Sequence, residues 1–151
     1  MPTGNYISLQ VNQQSIMRVF SQLAAYDRRK RMQISQEVAT STYVIEGGAK
    51  RLAPVAGKRK FGGRLRSSIH SQIRTDGLGG RIWVEAFYAP FQEFGTGVYV
   101  DVPPGFEAFA LQFKGKGIRQ VNIIAKHFLW DAFTWEVPRF FERIQAIVSG
   151  V

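Results

Sequence analysis

No cysteine occurs in the 151 residues. That removes disulfide frameworks, thiolate zinc or iron–sulfur sites and any cysteine nucleophile. Only two histidines are present; His70 and His127 stand far apart and fit no HExxH-type metal pattern. No apolar run reaches the roughly 18 residues of a membrane-spanning helix, so no membrane partner is expected. The opening Met1-Pro2-Thr3-Gly4-Asn5 lacks the basic start and apolar core of a secretory leader, and none is expected. There is no GxSxG elbow. Gly77-Leu78-Gly79-Gly80 misplaces the third glycine of the dinucleotide fingerprint, and Lys114-Gly115-Lys116-Gly117 lacks both the Walker spacing and the Ser/Thr after lysine. No internal repeat is visible, and no cofactor or metal is expected.

What is present is a chain that can bury a core. Apolar residues make up 45% and aromatics 13%, which predicts one folded domain over 1–151. Lys and Arg outnumber Asp and Glu by 20 to 11, a net charge of +9 with a pI near 10.3. The excess is local. Residues 27–81 hold 13 bases and 4 acids, whereas residues 82–151 hold 6 and 7. The bases cluster as Arg28-Arg29-Lys30-Arg31, Lys50-Arg51, and Lys58-Arg59-Lys60 followed by Arg64 and Arg66. Such clusters either contact phosphate, whose affinity scales with the cations brought near it, or form solvated faces.

Ile7, Leu9 and Val11 alternate with polar residues and predict a short strand. Ile16, Phe20, Leu23 and Ala24 have helical spacing, capped by Ser15 or Asn12 and ending near Tyr26. A longer helix is expected from Asp27, its N-cap, to Leu52, although four bases there oppose the macrodipole. Val38, Thr42, Ile45, Ala49 and Leu52 make its apolar stripe, and Pro54 ends it. Gly47-Gly48 either weakens this helix or admits another backbone closely. Residues 55–63 read as a flexible basic loop.

Alternation over Leu65–Ile73, a turn at Asp76–Gly80 and a return strand Arg81–Phe87 predict an antiparallel hairpin, with Arg64 and Arg66 on one strand face. Tyr88–Gly95 reads as a helical turn with Pro90 near its start and Gly95 ending it. Residues 96–126 are long for a connection and read as a projecting arm tipped by Lys114–Gly117. Helical spacing resumes at His127, where Pro138 either kinks the helix or begins a second one. The expected class is α+β: an antiparallel β-sheet with helices packed on one face, plus the arm.

Glu93 is the carboxylate that invites a chemical reading, flanked as it is by Phe91 and Phe94. It could be an acid raised by burial. The simpler reading is an acceptor for nearby backbone N–H groups or an arginine, since no second acid or nucleophile accompanies it. Asp101 and Glu107 lie in the arm without an obvious partner. No enzyme is expected from these residues.

Four blocks in order carry a family resemblance: Ala49-Lys50-Arg51-Leu52-Ala53-Pro54; Gly63-Arg64-Leu65-Arg66-Ser67-Ser68-Ile69; Tyr88 through Gly97; and His127-Phe128-Leu129-Trp130-Asp131-Ala132-Phe133. The set resembles the head–tail joining (tail-completion or neck) proteins of long-tailed bacteriophages and prophages. It departs from them at His127, where proline is common, and in a longer, more basic stretch before Gly63. Tyr88, Phe91, Glu93, Gly95, Phe128 and Trp130 are its structural signature. The resemblance implies a tail-terminator-like subunit made in the host cytoplasm. It would form a homo-oligomeric ring, usually a hexamer, in the virion between the portal or adaptor ring and the tail tube or terminator, and leave a DNA channel. The alternative is a soluble nucleic-acid-binding module using the basic 27–81 region.

A ring about 40 Å deep would surround roughly 24 phosphate charges of B-DNA. Six copies at +9 each would exceed that, so only part of the basic third is expected near the lumen. Lys58, Arg59 and Lys60, with Arg64 and Arg66, are the candidates for facing DNA or the adaptor. Val98, Val100, Phe106, Phe109, Phe113, Lys114 and Lys116 are the candidates for contacting a neighbouring subunit or ring, because an isolated arm with this much apolar surface invites aggregation. The competing expectation is that the arm folds back on its own sheet.

Overall fold

The computed structural model describes residues 7–10, 28–55, 63–110 and 122–150, with backbone alone at 7–10, 109 and 110. Three strands form one antiparallel sheet: β1 (Ile7–Gln10), β2 (Ile69–Ile73) and β3 (Gly80–Val84), in the spatial order β1-β3-β2. Val84 lies opposite Ile7 on one side and Ile69 on the other. Alternation along β3 buries Ile82 and Val84 on one face and leaves Arg81 and Trp83 half-buried on the other. This is the α+β architecture expected. The strand expected over Ile7–Val11 is present as Ile7–Gln10; the helix expected over 15–26 and its caps lie outside the described residues.

Two long helices pack together, and the first of them lies on the sheet. The first, α1 (Arg28–Leu52), buries Ile34, Val38, Thr42, Ile45 and Ala49, four of the five residues of the expected stripe among them. Leu52 is instead half exposed. The helix ends there, and Ala53, whose N–H still bonds the carbonyl of Ala49 at 2.8 Å, takes the buried place. The second, α5 (Phe128–Ser149), runs antiparallel to it: Lys30 Nζ donates to the carbonyl of Val148, Arg143 bonds Glu37, and Gly48 meets Ala132. Pro138 lies inside α5 without ending it. Both Pro138 and Thr134, whose carbonyl loses its helical partner, are on the exposed side, where water replaces the bond.

The glycine pair in α1 splits into two cases. A Cβ on Gly48 would sit 3.2 Å from the Cβ of Ala132, so the close helix approach accounts for that glycine. A Cβ on Gly47 would meet nothing within 4 Å. An interior glycine costs about 1 kcal/mol relative to alanine, and no contact among the described residues accounts for this one.

The hairpin differs from expectation at its exit, where β3 ends at Val84 and does not run on to Phe87, and at its entry. Arg64–Ser67 is a single helical turn, α2, and the strand begins only at Ile69. Leu65 and Ile69 are both buried and stand four apart, a spacing that serves a helical turn as well as a strand. The Ser67 and Ser68 hydroxyls donate to the carbonyls of Arg64 and Leu65, which favours the turn. Arg64 and Arg66 therefore project from a helical turn and not from a strand face; both are exposed.

The short helix α3 (Ala89–Phe94) has Pro90 in its first turn and Gly95 after its end, as expected. A 3₁₀ turn (Gly97–Tyr99) and one helical turn, α4 (Glu107–Ala110), follow. The first part of the arm does not project. Pro103 is buried, and Val102 and Phe106 pack on the main core, with the Phe106 ring 6.3 Å from Phe94 and 5.4 Å from Trp130. Over these residues the fold-back alternative holds, and Phe106 is an internal contact. Residues 111–121, with Phe113, Lys114 and Lys116, lie outside the described residues.

The core has two parts along the helix pair. The larger joins Ile45, Ala49 and Ala53 of α1 and its end to Leu65, Ile69, Val84, Phe94, Phe128 and Leu129. The smaller groups Ile34 and Val38 with Ile144, flanked by Leu78 and Phe140.

Candidate functional site

The Tyr88–Gly97 block meets the start of α5 in the main core, and one polar side chain caps that helix. Glu93 is 2% exposed. Its Oε2 accepts the N–H of Leu129 at 3.0 Å and its Oε1 that of Trp130 at 2.8 Å. These N–H groups belong to the first turn of a helix and have no partner within it. His127, at the N-cap, supplies no side-chain bond of its own, so Glu93 caps α5 from 36 residues away in sequence. The chain backbones are joined alongside: Lys126 N–H donates to Gln92 O and His127 N–H to Glu93 O. Burial pushes the Glu93 carboxyl above the ordinary carboxylate range; the two N–H donors and His127 pull it down without cancelling that effect. The acceptor reading of Glu93 thus describes its contacts.

Gly95 shows why the block needs that residue. It has φ 72°, and a Cβ there would lie 2.3 Å from the carbonyl of Tyr99 and 2.8 Å from that of Ile123. Both ends of the 96–126 segment meet here. Thr96 N–H donates to Ile123 O at 2.8 Å, and Ile123 N–H donates to Thr96 Oγ1 at 2.9 Å. Asp101, without a partner in the sequence reading, lies 3.1 Å from Nε2 of His127. Glu107 accepts the N–H of Gly105.

Four side chains that sequence reasoning did not single out form a second polar cluster between the long helices. Glu136 is 3% exposed and accepts from Ser41 Oγ at 2.9 Å and from the Arg143 guanidinium. Arg143 also donates to Glu37 at 2.7 Å and to Ser41 Oγ at 2.8 Å. The Glu136 and Glu37 carboxylates hold Arg143 above its ordinary value. The one signal in the sequence was spacing: Glu136 and Arg143, seven apart, lie near the apolar stripe that includes Phe140 and Ile144. Between α1 and β2, Glu46 accepts from Lys50 and Ser71. Burial pushes its carboxyl up, but those two bonds together bring it below the ordinary range.

The residues expected on the surface separate into three groups. Lys58, Arg59 and Lys60 lie outside the described residues, as does the side chain of Phe109. Arg64 and Arg66 are exposed and make no ion pair among the described residues. Val98 is 75% exposed and Val100 half-buried. Of the signature residues, Phe128 is fully buried, and Tyr88 and Trp130 pack on the main core; Phe91 is half-buried.

Two helix faces look outward with mixed apolar and charged character. Along α1 run Arg29, Met32, Thr40, Tyr43, Gly47 and Arg51; Tyr43 is 60% exposed. Along α5 run Asp131, Trp135, Pro138 and Glu142; Trp135 is 56% exposed, with the Arg139 guanidinium 3.8 Å above its ring. His70 lies beside Trp83 and 3.6 Å from Glu85 on the sheet. Among the described residues no three His, Asp or Glu side chains converge as a metal set, and no helix is long and apolar enough to cross a membrane. Chemically, both deeply buried carboxylates are engaged as acceptors that join elements, and the open surfaces offer contact area. In comparisons with known proteins, no family model, no curated protein and no solved structure matches this chain.

Proposed function

We propose that this chain is a structural virion protein of the phage neck with a tail-terminator-like fold. Its copies form a ring, six-fold by the resemblance, that joins the portal or adaptor ring to the tail and leaves a channel for the double-stranded genome. The observation that carries this reading is convergence. Ala49 and Ala53, Leu65 and Ile69, Ala89 and Phe94, and Phe128, Leu129 and Ala132 come one group from each of the four blocks, and all lie in one core cluster. Residues from 49 to 133 that mark the family resemblance thus contribute to a common scaffold, with the buried Glu93 securing it. A scaffold of that kind serves assembly, in which shape and surface are the product.

The test is deletion of the gene in the phage or prophage that carries it, followed by electron microscopy. The expected result is full heads and separate tails, with joining restored by the supplied protein. Normal joined particles, or intact particles lacking the polypeptide, overturn the reading. The nucleic-acid module is the competing outcome: affinity of the isolated protein for free duplex DNA that falls steeply with salt, together with unaffected particles, would establish it.

A further inference from the structure

Gly47 and Trp135 are each out of place in an isolated subunit. Gly47 sits inside α1 with open space where its side chain would be, and Trp135 leaves 56% of its surface in solvent, with the Arg139 guanidinium over its ring. The charges beside them are of opposite sign and unspent. The exposed charged residues of α1 are all arginines (Arg28, Arg29, Arg31 and Arg51), because both acids of α1 are engaged by Lys50 or Arg143. The exposed acids of α5, Asp131 and Glu142, form no ion pair among the described residues.

The spacings agree. Arg51, Gly47 and Tyr43 step back along α1 by four, as Asp131, Trp135 and Arg139 step forward along α5. Rows of residues four apart are the ridges that interdigitate when helices pack. Laid antiparallel, a four-residue step of about 6 Å on each helix puts Trp135 over Gly47 when Asp131 meets Arg51. The same register sets the guanidinium of Arg139 near the Tyr43 ring, a favourable cation–π partner.

We propose that the outer face of α1 in one copy receives the outer face of α5 from a second copy, with Trp135 seated at Gly47 and Asp131 paired with Arg51. The two faces differ, so the contact is head-to-tail and propagates until it closes. As the joint of a ring, the contact rests on the neck reading; self-association itself is measured apart from it.

The experiment is sedimentation of the full chain over a wide concentration range, with thermal unfolding of each variant. The wild type is expected to associate. Gly47→Leu has room for its side chain and a better helix former, so its Tm rises by about 1.5 °C while association weakens at least tenfold. Arg51→Glu and Asp131→Arg each lose association, and mixing the two variants restores it, because each then meets a complementary face. A wild type that stays monomeric throughout, a Gly47→Leu chain that associates normally, or a mixture that does not recover overturns the proposal. Purified particles distinguish the two ideas. A Gly47→Leu chain still built into joined particles removes this contact and leaves the neck reading standing; association by this face with no copy in particles does the reverse.

Discussion

Where α5 begins, it meets α1 through a close apolar contact, Gly48 against Ala132, beside the buried rings and side chains of Phe128 and Leu129. Towards its other end the same helix meets α1 through Arg143, Glu37, Ser41 and Glu136, with a small apolar cluster beside them. The first contact is non-directional and proportional to area. The second is directional: the Arg143 guanidinium ties Glu37, Ser41 and Glu136 together, and losing it leaves the buried Glu136 carboxylate unpaired by charge. One helix pair is thus brought together by burial at one end and kept in register by charge at the other. Glu93 belongs to the first end but acts by the second end's means, since it fixes α5 through hydrogen bonds to the helix's first N–H groups.

The largest effect expected from breaking this arrangement is at Glu93. Glu93→Ala leaves two N–H groups without their acceptor in a buried place and is expected to cost about 3 kcal/mol in urea unfolding. Arg143→Ala strands the Glu136 carboxylate and is expected to cost about 2 kcal/mol, less than a wholly buried pair because the guanidinium reaches solvent. Replacing both partners, Arg143→Met with Glu136→Gln, should recover most of that loss; a double variant as unstable as Arg143→Ala would show that Glu37 and Ser41 matter more. At the apolar end, Gly48→Leu is expected to cost about 1.5 kcal/mol by forcing the helices apart. Gly47→Leu, one residue away, is expected to stabilise by about 0.5 kcal/mol. Equal effects at the two glycines would remove the distinction between the closed and the open face.

The smallest effect is in pH. Folded Glu93 keeps its proton to a higher pH than it does in the unfolded chain. Its contribution is therefore greatest below the ordinary carboxylate range and falls as pH rises from there through its raised value. Glu46, held below the ordinary range, works in the opposite sense: its contribution is present above that range and is lost as pH falls through its lowered value. Urea midpoints taken stepwise from acid to neutral should lose the first slope in Glu93→Gln and the second in Glu46→Gln.

Elements with a single strong period were legible. The stripe Val38, Thr42, Ile45 and Ala49 located α1, and the alternation at Ile82 and Val84 located β3, because one buried face selects one spacing. Ile69 lies on β2 as its alternation indicates, but Leu65 belongs to the helical turn before it, because its separation of four from Ile69 fits a helical turn as well as a strand. The backbone N–H groups of Ser67 and Ser68, bonding the carbonyls of Gly63 and Arg64, and the two serine hydroxyls bonding back to Arg64 and Leu65 favour the turn. Asp101 looked partnerless because its partner, His127, lies across the arm. Glu93 was legible as an acceptor, but its donors were not, since nothing local points to residues 129 and 130.

By itself the sequence determined composition-level facts and local ones: no thiol chemistry, a basic central third, two long amphipathic helices and a hairpin. Those depend on side-chain type and on the geometry of a few neighbouring residues. The tertiary structure alone decided which glycine faces a helix and which faces open space, where the arm turns back, and which carboxylate caps which helix. Each of these depends on contacts between segments distant along the chain, and chain order does not encode such contacts until the core has closed around them.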